Sequence, residues 1–333
     1  MVFRFHRLRF EFLARESIHF PAHKSANIVR GAFGLLFRRI VCLPECLEPV
    51  SCPLEGRCPY EQIFAPIART QTPSGFRDLP RPLVFRATHL DGRTFPAGAR
   101  FHIDVHTFDA RPQTAASLCL AFAHLATHGL GPRRGRAELS AAFTLGLHGT
   151  PQQSLLYGAE PSAFPPPLAI SLLAAPGHLT EWSASSTLRV HFLTPTELKH
   201  EGRLADRPEA PILLARAFDR LESLVRFYGT SPAASPTAHS PLAAPSQRSA
   251  LLSAAASLRI AQLCLRHSHA ERQSSRTGQT HPLDGFVGSV DFQGPTDAIA
   301  AIRPWLVAAA FAGVGRQTVW GKGAIHVEET GSV

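Results

Sequence analysis

Four cysteines fall within seventeen residues: Cys42, Cys46, Cys52 and Cys58, separated by three, five and five residues. The set suits one tetrahedral thiolate site, and a closed all-cysteine site most often holds a structural zinc. Pro44, Pro49, Pro53 and Gly56 let the chain fold back as such a site requires. The spacing is not a CxxC pair, so an iron–sulfur cluster or uncommitted thiols remain alternatives. Cys119 and Cys264 stand alone. No secretory signal is read, so a disulfide framework is not expected.

A second motif is GVGRQTVWGKG at 313–323. Gly313, Gly315, Gly321 and Gly323 let the backbone turn tightly and lie close to a ligand. Arg316 and Lys322 add charge for phosphates, and Trp320 could stack a base or pack inward. The Walker spacing is absent, and the segment follows a helix, so it is neither a P-loop nor a dinucleotide fingerprint. A counterpart, HGLGPRRGR at 128–136, brings Arg133 and Arg134. Simple helix capping is the competing explanation of both.

Both motifs sit at matching places in a repeated order of elements. In the first half, Leu8, Phe10 and Phe12 alternate with Arg9 and Glu11, which predicts a strand. Ile28, Ala32, Leu35, Leu36 and Ile40 follow helical spacing. The cysteine-rich insertion at 42–62 has no period. Phe101, Ile103 and Val105 mark a strand, 112–127 a helix and 136–146 a further strand. Residues 148–185 are rich in Pro, Ser and Gly, with one apolar piece suited to an edge strand.

In the second half, Leu188, Val190 and Phe192 mark a strand and 211–227 an amphipathic helix. Residues 229–249 are of low complexity and are expected to lack structure. Period does not decide 256–266 between strand and helix. A strand through Phe286–Phe292, a helix through 298–310, the glycine loop and a short strand follow. The expected fold is α+β: two tandem ferredoxin-like (RRM-like) domains with a C-terminal glycine-rich loop and a Cys-rich insertion. The expected domains are residues 1–150 and 186–330, with 151–185 between them.

Charge narrows the partner class. Lys plus Arg is 34 against 25 Asp plus Glu, a net +9, and lysine occurs only at Lys24, Lys199 and Lys322. An arginine excess suits a polyanion, through forked phosphate contacts, stacking and counterion release. A GC-rich coding sequence would also raise arginine. No run is long and apolar enough for a membrane span. A soluble, cytoplasmic protein with no membrane partner is expected.

Several segments resemble the CRISPR-associated endoribonucleases that process precursor CRISPR RNA, within the repeat-associated mysterious protein (RAMP) superfamily. They are VRGAFGLLFRRIVC, CPYEQIF and HGLGPRRG in the first half. FLTPTELKHEGRL, LDGFVGSVDFQG and AGVGRQTVWGKGAI carry the likeness in the second. The resemblance implies two ferredoxin-like domains that bind CRISPR repeat RNA. It also implies cleavage without a catalytic metal, leaving 2′,3′-cyclic phosphate and 5′-hydroxyl ends.

Such chemistry needs a base for the ribose 2′-hydroxyl, a cation for the phosphorane and an acid for the departing oxygen. Among 17 histidines, His23 is the first candidate, beside Lys24 and between the first strand and first helix. His19 is its rival. A surface histidine in a basic loop is the plain alternative for either. Lys24, Arg30 and Arg38 are candidates for phosphate contact, and both arginines could instead face solvent or carboxylates. Tyr60 suits an acid, a stacking ring or the core. Lys199, His200, Arg266 and Arg272 are further RNA-contact candidates. A catalytically silent RNA-binding subunit of a CRISPR effector complex is the alternative function. A monomer or a homodimer is compatible with the sequence.

Overall fold

The computed structural model describes residues 2–46, 52–54, 57–67, 79–109, 111–155, 166–173, 185–229, 242–269, 271–273 and 280–328. The chain divides into two compact units. Arg4–Ile170 make up the bulk of the first, and Ser171–Arg226 with the residues after 242 the bulk of the second.

The first unit begins with β1 (Phe3–Ala14) and a short β2 (Ile18–His19), followed by α1 (Ser25–Val41). A π-helical turn, Tyr60–Phe64, lies within the cysteine-rich insertion. Then come β3 (Leu83–Arg86), β4 (Thr94–Phe95), β5 (Arg100–Thr107), α2 (Pro112–His128), β6 (Ala137–Leu145), β7 (Pro151–Ser154) and β8 (Ile170–Leu172). The sheet order is β3-β5-β1-β6-β7, with β8 also pairing to β1 and a separate β2-β4 pair. Residues 151–154, expected between domains, therefore belong to the first sheet.

Alternation explains where the core sits. Leu8, Phe10 and Phe12 of β1 are fully buried, as period two places them on one sheet face. Phe122 of α2 lies 4.3 Å from Phe10 and 5.1 Å from Phe33 of α1, ring centre to ring centre. Phe33 in turn meets Phe85 of β3 at 5.3 Å. Each buried phenylalanine contributes roughly 1.5–3 kcal/mol, so this cluster fastens both helices to the sheet.

The second unit contains β9 (Thr187–Thr196), a hairpin of β10 (Lys199–His200) and β11 (Arg203–Leu204), α3 (Ala210–Tyr228), α4 (Pro245–Ala256) and β12 (Arg259–Ser268). A β13 (Glu271–Gln273) and β14 (Thr280–Pro282) pair precedes β15 (Gly285–Gln293), α5 (Thr296–Ala312) and β16 (Ile325–Glu328). The sheet order is β12-β15-β9-β16. The segment left open by its period is thus mostly strand. Helix α4 begins inside the stretch expected to lack structure, because Leu251 and Ala255 find burial; residues 230–241 lie outside the described residues.

The order β3-β5-β1-β6 repeats as β12-β15-β9-β16, the antiparallel arrangement of a ferredoxin-like fold in each unit. The repetition reaches individual residues. Arg9 lies directly across from Asp104 and bonds both carboxylate oxygens at 2.8 and 2.9 Å. Arg189 lies across from Asp291 and does the same at 2.6 and 2.7 Å. One forked ion pair therefore joins the first and third principal strands of each unit.

Candidate functional site

Each of the two glycine loops leaves a helix and enters the last principal strand of its unit. Gly129 and Gly131 have φ of +101° and +74°; Gly313 and Gly315 have +79° and +76°. These are left-handed values that glycine adopts without strain. The residues between them, Leu130 and Val314, are buried. Both are tied across the loop: Leu130 N–H donates to Gly135 O at 2.9 Å, and Val314 N–H to Gly323 O at 2.9 Å.

The second glycine of each pair has one further duty. A Cβ on Gly131 would lie 2.6 Å from the carbonyl oxygen of His19, and one on Gly315 would collide with that of Glu197. Each loop thus presses its backbone against the segment that follows the first strand of its unit. His19 and Glu197 occupy corresponding places.

This arrangement holds His19 from two sides. Its backbone pairs with Thr94 in the β2-β4 ladder, and its Nδ1 lies 2.9 Å from Thr94 Oγ1. The imidazole is exposed. His23 follows in the same connection, exposed and at φ +59°. Lys24 is half-buried at the N-terminal boundary of α1. The first turn of that helix is capped from a distance: Ser25 N–H donates to Asp91 Oδ1 at 2.9 Å, and the Ser25 hydroxyl donates to the same oxygen. His19, His23 and Lys24 thus share one connection, which the first glycine loop meets at His19.

The basic candidates separate into two groups. Arg133 and Arg134 are exposed at the tip of the first loop, and Arg316 is exposed on the second. Arg266 is exposed on β12. Lys199 and His200 are exposed on the β10–β11 hairpin. His200, Arg203 and Arg207 border a cleft of about 820 Å³. Arg272 lies on β13 opposite His281; its side chain is outside the described residues.

The other group faces inward, contrary to expectation. Arg30 is 8% exposed, with its guanidinium 4.8 Å from the centre of the Phe64 ring. Arg38 donates to Cys46 O at 3.3 Å. Both arginines support the cysteine-rich insertion, because their helix positions point there. Lys322 is 2% exposed; its ammonium lies 3.1 Å from Glu197 Oε2 and also donates to Asp284 O. Burial pushes its pKa down, and the Glu197 carboxylate opposes that shift. Lys322 is a strut inside the loop. Trp320 is half-buried.

Tyr60 packs between Phe37 and Phe64 at 6.2 and 5.3 Å, and burial raises its pKa. It acts as a packing ring in the insertion. The four cysteines meet there: Cys46, Cys52 and Cys58 form one buried cluster against which Cys42 packs. Among the described residues, no three His, Cys, Asp or Glu side chains already stand in coordinating geometry.

Sequence reasoning missed Thr94, Asp91 and Glu197. The signal for Glu197 was available, since the repeated glycine pairs imply a repeated surface for them to press against. Thr94 and Asp91 gave none, because their partners lie 75 and 66 residues away.

Residues 190–325 match the family model of the CRISPR-associated endoribonuclease Cas6. Residues 3–167 match a model described as an N-terminal domain. No curated protein matches the sequence. Among solved structures, a Cas6 product complex is 18% identical, with a TM-score of 0.52 over 98% of this chain and 100% of that one. Cas6 of Thermus thermophilus is 16% identical, with a TM-score of 0.50 over 97% and 98%. A chain of a partial Cas6-RT-Cas1–Cas2 complex is 13% identical, with a TM-score of 0.56 over 98% of this chain and 46% of that one. The likeness to these structures is one of fold. No helix among the described residues is long and apolar enough to cross a membrane.

Proposed function

We propose that this protein binds CRISPR repeat RNA in the cytoplasm and cleaves precursor CRISPR RNA without a catalytic metal. The observation that carries the reading is the Cas6 endoribonuclease match over 190–325. The first glycine loop, which holds a histidine-bearing connection in the other half, supports it. His19 or His23 removes the proton from a ribose 2′-hydroxyl, and that oxygen attacks the adjacent phosphorus. Lys24 stabilises the charge that builds on the phosphorane. The P–O5′ bond breaks as the leaving oxygen takes a proton from the other histidine or from water. The products carry a 2′,3′-cyclic phosphate and a 5′-hydroxyl. Arg133, Arg134, Arg316 and Arg266 hold the RNA backbone, with Lys199 and His200 as a further contact region.

The test is incubation with repeat RNA from the protein's own locus, in a brief exposure to chelator, followed by end-group analysis. Cleavage persists and leaves cyclic-phosphate ends. Among His19→Ala, His23→Ala and Lys24→Ala, at least one lowers the single-turnover rate by roughly 100-fold or more while RNA affinity stays within a few-fold. Tight binding with no cut of any repeat RNA would overturn the enzymatic reading and leave a silent RNA-binding subunit of an effector complex.

A further inference from the structure

The Tyr60–Phe64 turn reaches the main core, but the cysteine-bearing part of the insertion has little apolar core of its own. Its buried cluster consists of Cys46, Cys52 and Cys58, with Cys42, Leu54 and Tyr60 packed at its margin. A patch this small buries too little apolar surface to fix a chain segment, and natural proteins of that scale use a cross-link or a metal. All four sulfurs are thiols. Cys46 is within hydrogen-bonding reach of both Cys42 and Cys52.

We infer that Cys42, Cys46, Cys52 and Cys58 form a structural tetrathiolate zinc site that clamps the insertion onto α1. Four thiolates are a soft, closed donor set of the kind zinc takes in tetrahedral geometry. In the structure the four residues pack in one cluster, and among the described residues no three potential ligands already stand in coordinating geometry. Cysteine moves its sulfur by turning one bond, so convergence of the four backbone positions is the demanding part of the site. The four residues already meet in one cluster. Binding exchanges the thiol protons for one Zn²⁺, with the protons released to solvent.

The site has a mechanical consequence. Cys42 ends α1, its N–H donating to Arg38 O at 3.0 Å. Cys58 leads into the π-helical turn, its carbonyl accepting from Gln62 N–H at 2.9 Å. Phe64 of that turn lies directly on the backbone of Gly34 in α1, and Arg30 covers its ring. Zinc would fasten both ends of this assembly to the helix that follows His19, His23 and Lys24. It would not touch the reacting phosphate.

The experiment measures metal in the full-length protein, with RNA absent. Elemental analysis after purification under reducing conditions should find one zinc per chain. Replacement by cobalt(II) should give the thiolate charge-transfer and visible bands of a tetrahedral all-sulfur site. Cys46→Ser and Cys58→Ser should each lose the bound metal, whereas Cys264→Ser, on exposed β12, should retain it. Prolonged chelation of the wild-type protein should remove the zinc and lower its melting temperature by about 5 °C or more. No stoichiometric zinc in the wild-type protein, iron with sulfide in its place, or equal metal loss in Cys264→Ser would overturn the inference. Because the readout is metal content, its failure is distinguishable from a failure of the proposed RNA cleavage.

Discussion

Lys322 and Gly315 show how differently two neighbours in one motif can act. The Lys322 ammonium is enclosed by Glu197 and Asp284. Removing one partner of a buried ion pair leaves the other charge uncompensated, a cost of about 3–5 kcal/mol. Lys322→Met should therefore shift the denaturation midpoint sharply while leaving the salt dependence of RNA binding unchanged. A phosphate-contacting lysine would give the reverse pattern. Gly315 at φ +76° faces Glu197 O so closely that any Cβ collides. Gly315→Ala should cost at least about 2 kcal/mol, from left-handed strain and the clash together. Gly31 is the control. It is exposed in α1 with nothing within 4 Å of a Cβ, so Gly31→Ala should stabilise by about 0.5–1 kcal/mol. Equilibrium unfolding of the three variants checks all three signs.

At the scale of elements, the forked Arg–Asp pairs fix the register between the first and third principal strands of each unit. Hydrogen bonds from Arg189 hold Asp291 below the ordinary carboxylate range. Its contribution to stability is therefore full above the unfolded value of 3.8 and is lost as pH falls through the lower folded value. His102 on β5 acts in a separate window. Burial lowers its pKa from 6.5 to about 4, and its ring stacks on His89 at 4.1 Å. Between those values the unfolded chain binds a proton that the folded chain refuses, so stability falls as pH drops from 6.5 toward 4. His102→Gln should flatten the stability profile across that window, and Asp291→Asn should flatten it only at lower pH. Urea titrations at stepped pH separate the two. The elements themselves were unevenly legible. β1 and β9 declare themselves by alternation because one face is buried. β3 does not: Leu83, Val84 and Phe85 are all buried, which erases the period. Most of β12 is exposed on both faces, so it too lacks an alternating signature. The glycine pairs were legible because their backbone demands glycine. The inward turn of Arg30 and Lys322 was not, because the deciding partners, Phe64 and Glu197, are distant in sequence.

For the whole molecule, the count of 34 Lys and Arg residues overstates what is available to RNA. Arg9 and Arg189 are engaged with aspartates, Arg248 bridges Asp219 and Glu222, and Lys322 is buried. These charges stabilise the fold. Arg133 and Arg134 on the first loop and Arg266 on β12 are exposed and remain to meet phosphates, whereas Arg316 already faces Glu197 at 3.5 Å. Arg133 and Arg134 are the clearest pair, since their loop also presses on His19. Each phosphate contact to single-stranded RNA adds about 0.7 to the slope of log affinity against log salt. Arg133→Ala with Arg134→Ala should therefore weaken repeat binding and reduce that slope by about 1.4, the sum of two such contacts. Folding should be barely altered, because both side chains are exposed. Binding isotherms at four or five salt concentrations measure the slope directly. An unchanged slope would remove this loop from the RNA path and leave it only the packing of His19. A full reduction with normal stability would place the RNA backbone beside the histidine-bearing connection, where the proposed cut requires it.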